Sequence, residues 1–295
     1  MKRFIFALVA LVFALSPAQA QRVGRLQTTG PLPGPGGQLE LQLVRGEGSG
    51  ALVDRWPGPE ERNWLFLRAP GTQANLQQVL TSGTPPNRAL IALPLGEYGS
   101  EGIVVGLDLG VRIEPVTPAD WHRFLLEHTG LAESQRGHSP FSGSPPVRIR
   151  RLESMKLLLR PEGGGQVRVP SAVLMAKTGQ AVELRPLADP TTVSPGSDLP
   201  LRVYMITGET QGLTITAFHE PSGARTQVVT GPGGMAHLRI RAAGRWTLEV
   251  HQVLELNGAW NADFELRTAT LSFVAPAAET ELTTPPKQSK SRDDR

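Results

Sequence analysis

His237 and His251 stand on two successive segments in which apolar and polar residues alternate strictly. In 236–241, Leu238 and Ile240 alternate with His237, Arg239 and Arg241. In 246–254, Trp246, Leu248 and Val250 alternate with Thr247, Glu249 and His251. Such alternation marks a strand with one face in a core and the other toward water. Both apolar sets should face one core, which restricts a hairpin between the segments to one register. Pairing Ile240 with Leu248 and Leu238 with Val250 leaves Ala243, Gly244 and Arg245 as the turn. That register sets Arg239 opposite Glu249 and His237 opposite His251 on the outer face, with Cβ atoms about 4.5–5.5 Å apart. Two imidazoles so placed could share Ni²⁺, Cu²⁺ or Zn²⁺, with His219 as a third ligand. The alternative is a pair of solvated surface histidines, since two nitrogens alone make a weak site.

Other chemistry falls short of a catalytic set. Gly137-His138-Ser139-Pro140-Phe141 begins like a nucleophile elbow, but Phe141 replaces the second glycine and no strand precedes it. His219-Glu220-Pro221 opens like a zinc-protease helix, yet Pro221 breaks the helix and Gly223 stands where the second His belongs. Gly46 to Gly50 lacks the Lys and Ser/Thr of a phosphate loop. His122 and His128 are separated by roughly 240° around a helix, so they read as solvated rather than as a shared ligand face. No nucleophile, base and orienting acid assemble, and the sequence points away from an enzyme.

The elements that must hold these residues are mostly strands. Leu39 to Val44, Trp64 to Leu67, Ala89 to Leu93 and Ile103 to Leu109 are punctuated by Gly and Pro, predicting a first β domain over 39–115. Further strands are predicted at 181–187, 199–206, 213–219, 225–230, 236–241, 246–254 and 264–274. Repeated short alternating segments of this kind read as an antiparallel sandwich over 179–275, Ig-like or carboxypeptidase-regulatory-like. The fold class expected is therefore mainly β, with two sandwich-like domains joined by a helical and loop connector, 116–178. Within that connector Thr117 can cap a helix, Pro118 sits at its first position, and Trp121, Phe124 and Leu125 share one apolar face. Val147 to Arg160 fits either helix or strand. Trp246 and Trp260 read as core or corner residues.

The ends carry a different message. Lys2 and Arg3, the apolar run Phe4 to Leu15, and Ala18-Gln19-Ala20 form the three parts of a secretory signal over 1–20. The run is shorter than the roughly 20 residues a spanning helix needs, so no membrane span is expected after cleavage. Residues 21–38 read as a flexible Gly/Pro-rich arm, and 276–295 as a disordered polar tail. The chain has no cysteine, which excludes disulfides, thiolate metal sites and a lipoprotein anchor. The formal charge of +3 falls to +1 without Lys2 and Arg3, and nucleic acid needs a denser basic face. The densest cluster, Arg148, Arg150, Arg151 and Lys156, is interrupted by Glu153.

Three passages together resemble a known family. AVELRPLADPTTVSPGSDLPLRVYM (181–205), GPGGMAHLRIRAAGRWTLEVHQV (231–253) and DFELRTATLSFV (263–274) are similar to domain-of-unknown-function family 4198, the NikM-like, cobalt/nickel-transport periplasmic components. DWHRFLLEHTGLAE (120–133) and Lys156 fit its middle section, and the resemblance covers roughly 39–275. It implies a two-part β fold outside the cytoplasm and a role in nickel or cobalt uptake, with a metal-uptake transporter or envelope protein as partner. His251 matches the His of a family segment. The family's amino-terminal His is missing, because Gln21-Arg22-Val23-Gly24 stands there. Two functions follow. One is a non-enzymatic periplasmic or secreted binding protein, with nickel or cobalt as its candidate cargo. The other is a metal-free structural or interaction module for carbohydrate, peptide or envelope proteins, docking through sheet edges.

Overall fold

A run such as Ile103-Val104-Val105 has no polar side, so a strand built from it must be covered on both faces. The computed structural model describes residues 23–277 apart from 35, 47–50, 77–80, 83–87, 94–100, 130–144, 162–168 and 257–258. The expected signal, the elbow motif and residues 47–50 of the Gly46 to Gly50 stretch lie outside those residues, as does nearly all of the tail. The first strands are β1 (Gly24–Thr28), β2 (Gln38–Arg45), β3 (Leu52–Val53), β4 (Arg62–Ala69), β5 (Thr72–Asn75), β6 (Thr81–Ser82), β7 (Arg88–Ala92), β8 (Ile103–Leu109) and β9 (Arg112–Val116). Helix α1 (Pro118–Phe124) follows and runs into a π-helical turn, Leu125–Thr129. The remaining strands are β10 (Val147–Leu159), β11 (Val182–Pro186), β12 (Ser197–Met205), β13 (Thr214–His219), β14 (Ala224–Val229), β15 (Met235–Ile240), β16 (Gly244–Glu255) and β17 (Phe264–Ala275). The protein is mainly β.

These strands form three sheets among the described residues. The largest runs β14-β13-β16-β17-β10-β8-β4-β5, with β9 also on β10. A five-stranded sheet, β1-β2-β7-β6 with β3 on β2, covers one end of it. A three-stranded sheet, β11-β12-β15, covers the other end. Leu65, Leu67, Val105, Leu107, Met155 and Leu157 pack against the five-stranded sheet's Leu26, Leu39, Leu41 and Leu43. Their neighbours Phe66, Val104 and Leu158 point the other way, into the core closed by Leu184, Leu199, Leu201, Leu238 and Ile240. Both faces are thus apolar, and every residue of β8 is buried. At Gly106, paired with Phe66, an added Cβ would lie 2.1 Å from the Phe66 ring.

Several sequence expectations change here. Val147 to Arg160 resolves as strand β10, not helix, because it fills the slot between two neighbours. It pairs antiparallel with β8 and β9 and parallel with β17. Tertiary pairing overrides the helix propensity of its Glu, Met, Lys and Leu residues. Strands from 39–115 and from 179–275 share the nine-stranded sheet, so no break in hydrogen bonding separates the two halves. The arm is not free either, since Gly24–Thr28 forms β1 on β2 and Leu26 is fully buried. Among the described residues no helix is long and apolar enough to cross a membrane.

The expected hairpin between β15 and β16 does not form. Their apolar sets do share one core, but from opposite layers: β15 pairs with β12, and β16 with β13 and β17. A chain crossing a sandwich satisfies the same alternation as a hairpin. His237 therefore lies opposite Pro200 and is exposed, on the far side of the core from His251.

Buried ion pairs tie the layers together. Lys156 of β10 donates to Glu183 of β11 at 2.6 Å, and Glu183 also accepts from the Thr178 and Gly179 amides. Glu153 receives Arg45 from β2 at 3.2 Å and Arg112 from β9 at 3.1 Å. Arg148 pairs with Asp263, Arg150 with Glu265 and Arg151 with Glu114. The basic cluster is thus matched to carboxylates. Removing one partner of a buried pair strands the other, so Lys156→Met should cost about 3–5 kcal/mol in urea unfolding. Adding Glu183→Gln to Lys156→Met should recover part of that loss.

Burial opposes ionisation of Glu153 and Glu183, but Arg45, Arg112 and Arg151 around the first and Lys156 beside the second hold both pKa values below the ordinary glutamate value. A carboxylate depressed by folding stabilises above its unfolded pKa and stops doing so as pH falls through the folded one. Unfolding midpoints should therefore be insensitive to these groups above pH ~5 and drop steadily as acid is added below it. Glu153→Gln with Arg45→Met should flatten that acid limb.

Candidate metal centre

Glu249 and His251 alternate with Leu248 and Val250 on β16, so they leave the core on the opposite face of the nine-stranded sheet. That face is not open to water. The π-helical turn Leu125–Thr129 packs across it, on β16 and β13, and Phe124 of α1 meets the His251 ring. The start of α1 follows the sequence closely: Thr117 Oγ1 accepts from the Asp120 amide at 3.1 Å, and Pro118 opens the first turn. Trp121, Phe124 and Leu125 are buried against Val116, Val147, Ile149, Phe264 and Leu266. The lid holds by this apolar contact.

The π-helical turn then carries His128 inward. Its ring stacks on Phe124 with centroids 4.9 Å apart and meets His251 edge-on at 5.4 Å. His128 Nδ1 donates to Glu249 Oε1 at 3.1 Å. His251 Nε2 lies 3.8 Å from the same oxygen, too far for a hydrogen bond, and is buried without a partner. Its other nitrogen, Nδ1, is 3.0 Å from Thr268 Oγ1 on the neighbouring strand. His128, Glu249 and His251 each offer one ligand atom, and these atoms lie within 4.8 Å of one another.

The electrostatics favour a cation between them. Burial opposes ionisation of Glu249, yet the two imidazoles outweigh it and its pKa falls well below the usual glutamate range. Burial pushes the His251 imidazole below its ordinary value, against the pull of Glu249. With Nδ1–H toward Thr268 Oγ1, the Nε2 lone pair would face the carboxylate, and a shared cation would sit between two electron-rich atoms. In the other tautomer Nε2–H faces Glu249, and a divalent ion would displace that proton.

The dimensions suit a transition ion. Imidazole nitrogen and carboxylate oxygen bind Zn²⁺ or its neighbours at about 2.0–2.2 Å, so tetrahedral donors stand roughly 3.3 Å apart. The 3.1 and 3.8 Å separations lie either side of that value, and the three donors, all within 4.8 Å of one another, would draw together around an ion. Two imidazoles with one carboxylate are a borderline donor set that suits Ni²⁺, Co²⁺, Zn²⁺ or Fe²⁺ better than Ca²⁺ or Mg²⁺. Three protein donors also leave a coordination position open.

Of the residues the sequence proposed, only His251 is in this cluster. His237 is exposed on the three-stranded sheet. His219 uses both nitrogens, with Ser222 Oγ at 2.7 Å and the Ala243 carbonyl at 2.9 Å, and packs on Trp246. Arg239 sits near Asp198 rather than Glu249, at 3.6 Å. Trp246 is buried as expected, but Trp260 is 70% exposed, on backbone with φ of 61° beneath Arg150. His128 is mostly enclosed rather than solvated. A signal for it was present: His128 stands at i+7 from Trp121 and i+4 from Phe124, on the stripe that faces the core. Glu249 carried no such mark, because alternation does not reveal that a helix will cover the outer face.

The fold and this cluster define a mainly β protein with a candidate buried metal centre. No protein-family model matches the chain, and no curated protein matches it. Among solved structures it is similar to a tetra-tandem repeat from the extending region of a large adhesion protein, at 9% identity over 86% of this chain and 49% of that one, with a TM-score of 0.20. A 1.5-MDa bacterial ice-binding adhesin gives 9% identity over 86% and 63% of the two chains, with a TM-score of 0.23. The chain thus spans less than two thirds of either structure, and neither likeness bears on function.

Thr268 orients His251 from the far side of the ring. Partners of this kind typically change metal affinity about 10–100-fold, so Thr268→Val should weaken Ni²⁺ binding by that factor in calorimetric titration. Thr268→Ser, which keeps the hydroxyl, should restore it.

Proposed function

We propose that the protein is a non-enzymatic binding protein, exported to the periplasm or secreted, whose cargo is a divalent first-row transition ion held by His128, Glu249 and His251. The observation that carries this reading is the buried, partnerless His251 Nε2 beside an ionised Glu249, with His128 closing the third side. Export is supported by the basic, apolar and small-residue stretches of 1–20. Nickel or cobalt is the finer form of the proposal. It draws on the resemblance of 181–205 and 231–253 to NikM-like proteins and on the nitrogen-rich donor set. Such a function would place a metal-uptake transporter or an envelope protein downstream as the acceptor. A site with three protein donors also suits a cargo that must leave, since structural zinc sites are usually closed by four.

The test is titration of the purified chain, cleared of metal, with Ni²⁺, Co²⁺, Zn²⁺ and Cu²⁺. Micromolar or tighter binding of about one ion per chain is expected, and an ion at 100 times its Kd should stabilise folding by about 2.7 kcal/mol. His128→Ala and His251→Ala should each weaken binding, whereas His237→Ala should leave it unchanged. Absence of heat and of thermal stabilisation with all four ions would refute the proposal.

A further inference from the structure

Resting on that reading, the geometry points to Glu127 as the residue through which the ion enters and leaves. Exposure falls stepwise along one line of donors. The Glu127 side chain is 55% exposed, His128 15%, Glu249 6% and His251 1%. His128 stands between an outer carboxylate and an inner one. Its Nε2 lies 3.8 Å from Glu127 Oε2, and its Nδ1 lies 3.1 Å from Glu249 Oε1. One imidazole thus touches both solvent-side and buried oxygens.

We propose that Glu127 and His128 form an outer station, from which the ion passes to Glu249 and His251. A hydrated ion first exchanges a water for a Glu127 oxygen, then another for a His128 nitrogen. Rotation of the His128 side chain about its Cα–Cβ bond carries that nitrogen from the outer carboxylate toward the inner one. Glu249 and then His251 Nε2 replace further waters, and Glu127 lets go. Each step trades one donor for another, so no bare ion crosses the dry interior, where an uncompensated charge is costly. The π-helical turn that presents both residues packs on β16 and β13 at the edge of the site. Release is the same path in reverse.

A residue on the path, as opposed to a resident ligand, changes rates more than equilibrium. Glu127→Gln should slow Co²⁺ capture in stopped-flow, and Co²⁺ loss to excess EDTA, by about tenfold each, while Kd stays within about twofold. The visible spectrum of bound Co²⁺ should be unchanged, because the inner donors are intact. Glu127→Asp should recover much of both rates. Faster release with weaker binding would make Glu127 a resident ligand and overturn the proposal. Slower capture alone, erased by salt, would reduce it to long-range attraction and overturn it equally. Unchanged rates in a chain that binds Co²⁺ would also overturn it, leaving the metal centre standing. Failure of the unmodified chain to bind Co²⁺ would instead remove the centre itself.

Discussion

Burial of the central strands of the nine-stranded sheet on both faces is the constraint from which the rest follows. An antiparallel sandwich can leave the outer face of each sheet in water, and its polar residues then need no partner. Here the helical segment 118–129 closes over the outer face of β16, so Glu249 and His251 become interior groups. A carboxylate in that position must be compensated, and the compensation comes from two imidazoles on different elements. The apolar seal made by Trp121, Phe124 and Leu125 is thus what turns an ordinary strand face into a site.

The same constraint explains the density of buried ion pairs elsewhere. Strand β10 lies in the middle of the sheet, with cores above and below, and still carries Arg151, Glu153 and Lys156. Each finds an opposite charge on a neighbouring element: Glu114, Arg45 with Arg112, and Glu183. Such pairs add little net stability when complete, but a missing partner leaves a charge in the interior. They therefore fix how the five-stranded and three-stranded sheets seat on the large one. The trio at His128 differs in kind: its unpartnered buried nitrogen, His251 Nε2, is an imidazole nitrogen that can offer a lone pair, whereas Arg112 Nε, also unpartnered beside Glu153, is a donor only and cannot ligate. That separates a candidate site from a structural clasp.

Much of the local structure was written in residue order. The strands of 179–275 begin and end within a residue or two of the alternation, because period-2 patterning records which side chains face a core. The start of α1 was equally legible, since Thr117 and Pro118 act on their own turn. His251 was legible as an outward residue on its strand. What the pattern could not convey was the partner of each strand. The apolar sets of β15 and β16 satisfy a shared core either as a hairpin or as two layers, and the alternation is identical in both cases.

The amino-acid sequence by itself determined a mainly β chain, the positions of most of its longer strands, one capped helix and the absence of any thiol chemistry. These follow from short-range rules of periodicity, turns and caps. Only the tertiary structure decided that β16 would leave β15, that β10 would join both halves into one sheet, and that His128 rather than His237 would meet His251. Those outcomes depend on contacts between residues tens to more than a hundred positions apart, the last as for His128 and Glu249, and no local pattern encodes what will cover an outward face.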